Sequence, residues 1–448
     1  MIKKIFFLLY ILLIPISLFS CFHEQEIPVN ADFEYTITAK SYTVPVELTL
    51  TNKTVGADFY KWTFEGASPA TSTEKQPGRI IYPNAGTYTI RLEAWNDTQH
   101  QIKELVLQLD SAVVVNFETQ IEVNDFAPAN VKIRNKSRGA STYEWTFEGG
   151  IPATSNAGDP PLVYFDQPGD HVITLRVTNG RETFSYSKKI NLKESLQTEF
   201  TIVPVFEDED YEAPLTATLE NQTRSGLQYN WKSTGGIIAN SSSQHTSIHF
   251  DSPGEYTITL EANNDKQTQV VQHTIQVKAN TNLYTMKDVR LGVSAAQNTI
   301  GCLYSTKLRK VFTRNEITPE NGKWIDLAFF GINSSYSYCR FVSPDSAAGF
   351  TFPDIPGATH TAFVNTIEKS PLKFTVSDFD TMTTDTPLKE LAIKVNDSGT
   401  AFFTNASSPY IVLFETQDGR KGAIKIKSFI ANGAQSYILA DIKVQKSN

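Results

Sequence analysis

A few residues in this chain have types and spacings that could do chemistry. His245 and His249 are four apart. On a helix they would share one face and one metal ion. On a strand about 13 Å would separate them, too far for a single ion. The flanking residues alternate as a strand does, so a structural role is expected for both. Glu207-Asp208-Glu209-Asp210 supplies oxygen ligands of the kind that hold calcium. It falls where two strands must turn, and a solvated acidic loop is the expectation. Asp378 and Asp380 are two apart, but glycosidic acid–base chemistry needs carboxylates flanking a cleft, and no second pair is identifiable. Gly-x-Ser-x-Gly, His-Glu-x-x-His and the phosphate loop are all missing from the sequence. A non-catalytic protein with no cofactor and no metal is therefore expected. The remaining candidates are aromatic. Trp324, Tyr336 and Tyr338 lie in one short segment, and flat rings suit stacking on sugar faces. For any single one of these rings a place in the core is the commoner outcome. Trp95 follows an inward position and should point outward, where it would meet a partner, a sugar or a neighbouring module.

The elements that must position these residues are announced by a repeat. Thr142-Tyr143-Glu144-Trp145-Thr146-Phe147-Glu148-Gly149-Gly150 has an earlier copy at Phe59–Ala67 and a weaker later one at Gln228–Gly236. Trp62, Trp145 and Trp231 are 83 and 86 residues apart. A second phrase follows each: Gly86-Thr87-Tyr88, Gly169-Asp170-His171 and Gly254-Glu255-Tyr256, each continuing in alternating apolar residues. Fixed-period self-similarity means tandem modules. Tyr143, Trp145 and Phe147 are two apart and share one strand face, as do His171, Ile173, Leu175 and Val177. Two such strands are expected to seal a core from opposite sheets. An immunoglobulin-like sandwich of roughly 100 residues with a buried Trp fits the spacing. Tyr88 and Tyr256 then take the place of a tyrosine corner, with His171 as the substitute in the second module.

On these residues the chain resembles the PKD family of immunoglobulin-like modules. The Trp-Thr-Phe-Glu-Gly phrase leads into Pro152-Ala153-Thr154-Ser155 and Pro69-Ala70-Thr71-Ser72. The later family phrase is echoed by Pro253-Gly254-Glu255-Tyr256 and Asn263. The third module keeps its Trp but lacks the second aromatic and the Pro-Ala-Thr-Ser loop. The resemblance implies spacers or adhesive units of extracellular proteins. It implies placement and no chemistry.

The N-terminus agrees with such placement. Lys3 and Lys4 precede an apolar run of 15 residues, Ile5 to Phe19, shorter than the roughly 20 needed to span a bilayer. The run ends in Leu18-Phe19-Ser20-Cys21, which resembles the lipobox of bacterial lipoproteins. There the Cys21 thiolate would accept lipid, and acyl chains would anchor the chain stably. Glu24 and Glu26 resemble export tags of surface lipoproteins. The expectation is a bacterial surface lipoprotein held at the cell outer membrane. Asp110-Ser111-Ala112, Asp345-Ser346-Ala347 and Asp380-Thr381-Met382 resemble a short bacterial O-glycosylation signal.

The chain has 448 residues, 40 Lys+Arg against 48 Asp+Glu, and a net charge of −8. With no basic patch, nucleic acid is not an expected partner. The expected organisation is a signal peptide at 1–20, a tether at 21–30, modules at 31–110, 111–194 and 195–278, and a C-terminal domain at 281–448. The joints are only a few residues long and polar, which limits swing. In the last domain, Ile325–Phe330 is apolar on both faces. Tyr410–Thr416, Lys421–Ile430 and Ser436–Gln445, parted by Asp418-Gly419 and Asn432-Gly433, read as a three-stranded meander. One short helix is expected at Thr386–Lys394. Besides Cys21 only Cys302 and Cys339 remain, and a disulfide and two buried free thiols are equally compatible with them. The fold class is thus all-β, with three tandem sandwiches and a mainly antiparallel C-terminal domain. The expected function is ligand binding by that domain, with an extracellular glycan first, a surface protein second, and a polysaccharide-degrading enzyme as the rival class.

Overall fold

A computed structural model describes residues 27–332, 336–352, 354–394, 402–403 and 408–448. The leader and Cys21 lie outside the described residues. By its contacts the chain forms two compact units. The first holds the chain up to Glu199 together with Gln222–Asn230 and Leu260–Val271. The second holds Phe200–Asn221, Trp231–Thr259 and Gln272–Asn448. The chain is all-β, built almost entirely of antiparallel sheets.

In the first unit, each of the first two modules is a pair of sheets. One sheet of module one orders Phe33–Ile37, Val46–Asn52 and Ile80–Tyr82. The other orders Thr71–Ser72, Phe59–Phe64, Gly86–Trp95 and His100–Leu109. Module two repeats the pattern with Phe117–Ile121, Ala129–Asn135, Val163–Phe165 and Gly150–Ile151 against Thr154–Ser155, Thr142–Phe147, Gly169–Thr178 and Thr183–Leu192. The Trp strand and the Gly-x-Tyr strand do not face each other from opposite sheets. They are hydrogen-bonded neighbours, with Trp62 paired to Leu92 and Trp145 to Leu175. Alternation fixes which face a side chain takes and leaves the neighbouring strand open. The opposing sheet supplies Phe33 and Phe117, each edge-on to its Trp at 5.0 and 5.2 Å. Both indoles are fully buried.

The recurring glycine of the Trp phrase has a steric reason. A Cβ on Gly66 would stand 2.3 Å from the Tyr88 ring, and one on Gly149 would stand 2.9 Å from His171 Nδ1. The corner ring sits where that side chain would be. Tyr88 donates its hydroxyl to the Asn84 carbonyl four residues back at 2.9 Å. His171 Nε2 lies 2.9 Å from the equivalent carbonyl of Gln167, and Nδ1 lies 3.0 Å from that of Glu148.

The joint between modules one and two is made by a loop and a hairpin tip. The loop before Pro45 is tied to the module's last residue: Val44 donates to the Asp110 carbonyl and Asp110 to that of Tyr42, at 3.1 and 2.9 Å. Onto it comes the tip Asn179–Glu182 of module two. Arg181 stacks on Tyr42 with its guanidinium carbon 4.2 Å from the ring centroid, and donates to the Gln108 carbonyl at 3.0 Å. Glu182 accepts from the hydroxyls of Ser41 and Thr43. The next joint uses the same parts. Ala127 and Lys193 exchange the equivalent backbone bonds with Lys193 and Asp125. The tip residue Lys266 donates to the Phe126 and Pro128 carbonyls at 2.6 and 3.1 Å, and Asn124 donates to the Asn264 carbonyl at 2.7 Å. Short polar joints were legible in the sequence. Their interlocking was not.

In the second unit, Phe200–Pro204, Leu215–Asn221, Thr246–Phe250 and Ile237–Ile238 form one sheet of module three. Trp231 lies edge-on to Phe200 at 5.0 Å. Tyr256 donates to the Ser252 carbonyl at 2.9 Å, the same corner as Tyr88. His245 and His249 take the structural roles expected of them: His245 Nδ1 accepts from the Asn221 amide, and His249 Nδ1 lies 2.9 Å from the Thr216 hydroxyl. The acidic run Glu207–Asp210 is only in part the solvated loop expected: Glu207 and Glu209 are exposed, while Asp208 and Asp210 are half-buried. Asp208 accepts from the Thr216 amide at 2.7 Å, Glu209 pairs with Arg309 at 3.1 Å, and Asp210 pairs with Lys446 at 2.7 Å. Lys446 also meets Glu212 at 2.7 Å, and Glu212 accepts from the amide and hydroxyl of Thr281. Glu209, Asp210 and Glu212 thus tie module three to the C-terminal domain, while Asp208 bonds within the module.

That domain stacks two sheets. Leu283–Gly292, Tyr437–Gln445, Lys421–Ile430, Tyr410–Thr416 and Thr361–Val364 form the larger. Lys310–Phe312, Leu303–Ser305, Leu327–Gly331 and Cys339–Val342 form the smaller. The main core lies between them, where Leu327, Phe329 and Phe341 meet Val412, Ile424 and Ile442. Ala328 and Phe330 face a second core under Ala347, Phe352 and Ile355, as a strand apolar on both faces requires. A third core lies on the far side of the larger sheet. It is closed by Val376–Thr381, a helix the sequence reading missed, and by Thr386–Lys389, shorter than expected. Thr375 and Asp378 cap the first of these helices reciprocally, and Asp380 pairs with Lys425. Both aspartates therefore have structural partners. Cys302 and Cys339 are buried and free. One belongs to the second core and the other to the main core, so a disulfide has no path. Burial pushes both thiols up to about 12.

Candidate functional site

The structure separates the aromatic residues that the sequence placed together. Tyr336 packs against Phe403 and Phe429 at 5.6 and 5.5 Å and belongs to the main core. Burial holds its phenol well above the usual range. It is half-buried against the main core, so its ring packs inward and is not a free platform for a ligand. Tyr338 is 51% exposed and lies edge-on to Phe402 at 6.0 Å. Trp95 does lie on the outer face of its strand. There it stacks on Phe59 at 5.8 Å and leans on His100 at 6.0 Å, so its ring partners come from its own module.

Trp324 stands at a different kind of place. It ends the short turn Gly322–Trp324, half-buried, on the wall of a cavity of about 280 Å³. The cavity lies where four connections of the C-terminal domain converge. The turn after Leu303–Ser305 brings Lys307. The approach to Leu327–Gly331 brings Lys323, Trp324 and Asp326. The approach to Thr361–Val364 brings Thr359. The Asp418-Gly419 hairpin brings Gln417, Asp418 and Arg420. The Asp-Gly signal was legible as a turn; that its flanks line a cavity was not.

Buried charge forms the floor. Arg420 is 7% exposed and Asp326 is 6% exposed. The Arg420 guanidinium donates from Nε to Asp418 at 2.9 Å and from Nη1 to the Thr306 hydroxyl at 3.0 Å, with Nη2 3.6 Å from Asp326. Asp326 also accepts from the Thr306 amide and hydroxyl at 2.7 and 2.6 Å. Burial raises the Asp326 carboxyl above its ordinary range, against the pull of Thr306 and Arg420. Burial works upward on Asp418 too, but Thr416 and Arg420 hold it below. Buried charges are costly unless paired, and they cluster at functional sites as well as in structural networks. The rim is different. Lys307 Nζ lies 4.1 Å from the centroid of Trp324, and Lys323 Nζ lies 5.0 Å from it.

A larger cleft of about 650 Å³ runs beside the third joint, lined by Asp210, Glu212, Arg309 and Lys443 among others. Most of its charges hold the fold. Lys443, for instance, donates to the Phe379 and Met382 carbonyls at 2.7 and 2.6 Å. Among the described residues, no group of three or more His, Cys, Asp or Glu is placed to hold a metal.

Comparison with known proteins adds one family. Residues 200–277 match the PKD domain. The matched stretch is the third module, whose Trp phrase is the weakest of the three. It retains Pro253-Gly254-Glu255-Tyr256 and its corner bond. Together with the repeated sheets, this makes the chain a tandem array of immunoglobulin-like domains. No curated relative matches the chain. Among solved structures, a DUF4466 family protein from Parabacteroides merdae is 13% identical, covering 75% of this chain and 99% of its own, with a TM-score of 0.26. An I-band fragment of titin is 15% identical over 56% of this chain and 99% of its own, with a TM-score of 0.30. A two-domain fibronectin type III segment of chicken tenascin is 14% identical over 36% and 99%, with a TM-score of 0.23.

Proposed function

We propose that this protein is a non-catalytic, lipid-anchored protein of the bacterial outer cell surface. Its immunoglobulin-like modules carry the C-terminal domain, which binds an extracellular glycan at the cavity beside Trp324. One observation carries the binding site: an aromatic ring, a hydroxyl, an amide and a buried guanidinium converge from four connections on a space the size of one sugar unit. Ligand pockets commonly start at about 300 Å³, so this space suits a single residue of a longer chain. Tandem immunoglobulin-like modules with a PKD domain suggest a surface or adhesion-type extracellular protein. The apolar leader ending in Ser20-Cys21 supports the anchor.

A protein partner is the second reading. It is favoured by Ile332 and Tyr338, each 51% exposed, beside the Gly331–Cys339 pair that ends two strands. A glycan array and polysaccharide gel-shift with the full chain test the first reading. Retention by at least one glycan, lost in Trp324→Ala with unchanged melting, is the expected result. Binding to no glycan, or turnover of a polysaccharide, would overturn it. For the anchor, Cys21→Ala should move the protein into the soluble fraction, and membrane retention of that variant would refute it.

A further inference from the structure

The rim of the Trp324 cavity carries more positive charge than its floor can use. Arg420 is answered by Asp418 and faces Asp326, and Asp326 is further satisfied by Thr306. Those two carboxylates are the only acidic side chains lining the cavity among the described residues. Lys307 and Lys323 both direct their ammonium groups at the same indole, at 4.1 and 5.0 Å from its centroid. Among the described residues neither ammonium has a hydrogen-bond or ion-pair partner. A ring face attracts a cation only weakly at exposed sites. It gathers two like charges without neutralising either. Other lysines of the domain do meet carboxylates: Lys310 meets Glu316, Lys425 meets Asp380, and Lys427 meets Asp288 and Asp441. What sets Lys307 and Lys323 apart is that both ammonium groups converge on one ring at a cavity mouth.

We propose that this pair is an anion subsite, and that the sugar unit bound in the cavity is acidic. Its carboxylate or sulfate bridges the Lys307 and Lys323 ammonium groups, while Gln417, Thr359 and Arg420 line the space left for the ring. With the lysines placed over it, the indole acts as a holder of cations more than as a bare stacking platform. The inference rests on the glycan reading and sharpens it. Carboxylate and sulfate share the chemistry invoked here, and the probes separate them.

The test is affinity electrophoresis and calorimetry of the full chain with polygalacturonate, heparin, and neutral mannan and dextran. Binding to polygalacturonate places a carboxylate in the site, and binding to heparin a sulfate. The expected result is binding to one or both acidic polymers and none to the neutral ones. Lys307→Gln and Lys323→Gln should each weaken binding at least about tenfold, and Lys310→Gln, which lies outside the cavity, should leave it unchanged. Thermal melts of all three variants should match the parent. Equal binding of neutral and acidic polymers, or acidic binding indifferent to both lysine substitutions, would overturn the anion subsite while leaving the glycan reading in place. Loss of binding in Lys310→Gln to the same degree would also overturn it, by showing general attraction to polyanions. Binding to no polymer would remove the glycan reading itself.

Discussion

The indole Nε1 of Trp145 donates to the carbonyl oxygen of Ala157, twelve residues downstream, at 2.9 Å. Trp62 and Trp231 make the same bond to Glu74 and Ser243, each again twelve residues on, at 3.0 and 2.9 Å. The repeated tryptophan thus fills the core and also pins the segment that crosses from one sheet to the other. Trp145→Ala should cost module two about 3–5 kcal/mol. Trp145→Phe keeps most of the apolar volume and leaves the Ala157 carbonyl unmet, for about 1–3 kcal/mol. Urea unfolding followed by near-ultraviolet dichroism checks both. Equal losses for the two variants would show that the hydrogen bond contributes nothing.

His171 occupies a site built for tyrosine, and its Nε2 reaches the carbonyl four residues back as Tyr88 and Tyr256 do. His171→Tyr should therefore leave module two within about 1 kcal/mol of the parent. His171→Phe removes the polar atoms and should cost about 1–3 kcal/mol. Melting temperatures of the two variants decide it, and a tyrosine variant less stable than the phenylalanine one would contradict a shared corner.

The first joint should weaken in acid. The hydroxyl of Thr43, then that of Ser41, holds the Glu182 carboxyl below its ordinary value. A depressed carboxyl favours the docked state at pH above the undocked value of about 4.3. That contribution disappears as pH falls through the lower docked value. Protection factors of the amides around residues 41–44 and 179–182, with the intrinsic pH dependence of exchange divided out, should fall below about pH 4 relative to pH 7. Glu182→Gln should raise exchange at pH 7 and remove most of the pH dependence. Unchanged protection across this range would rule out a role for the carboxylate.

Neither Cys302 nor Cys339 should react with a thiol reagent in the native protein. Both thiols are buried, and burial pushes each up to about 12, where thiolate is scarce at neutral pH. Two equivalents should react in denaturant without reductant. Fewer than two under those conditions would mean a disulfide.

Much of this architecture was written in side-chain period. Alternation gave the buried faces of the Trp and Gly-x-Tyr strands, and the Asp418-Gly419 turn gave the hairpin of Tyr410–Thr416 with Lys421–Ile430 almost to the residue. Alternation does not say which strand lies beside which, so Trp62 and Leu92 were assigned to opposite sheets when they are paired. The candidate site was legible only at Trp324. Lys307, Lys323, Gln417 and Arg420 come from connections up to 113 residues apart, and a charged loop residue looks the same whether it faces water or a cavity. Asp210 was read as solvated for the same reason, since its partner Lys446 lies at the far end of the chain. Tyr336 sits among serines, and nothing in its local sequence names Phe403 and Phe429 as the rings that pack on it.

The joints also make the order of the modules part of the sequence. Each receiving loop offers carbonyls or carboxylates, and each arriving tip brings a cation: Arg181 in module two and Lys266 in module three. The corresponding tip of module one, Asn96–Gln99, carries Thr98 and is folded onto its own module through Asn96 and Gln99. Modules two and three thus carry a docking cation at this tip, and module one carries a threonine there. A longer chain could arise by copying module two or three in place, because each copy would bring its own cation to the next loop. Copying module one would set a threonine over a loop that needs a charge, and the array would break at that point.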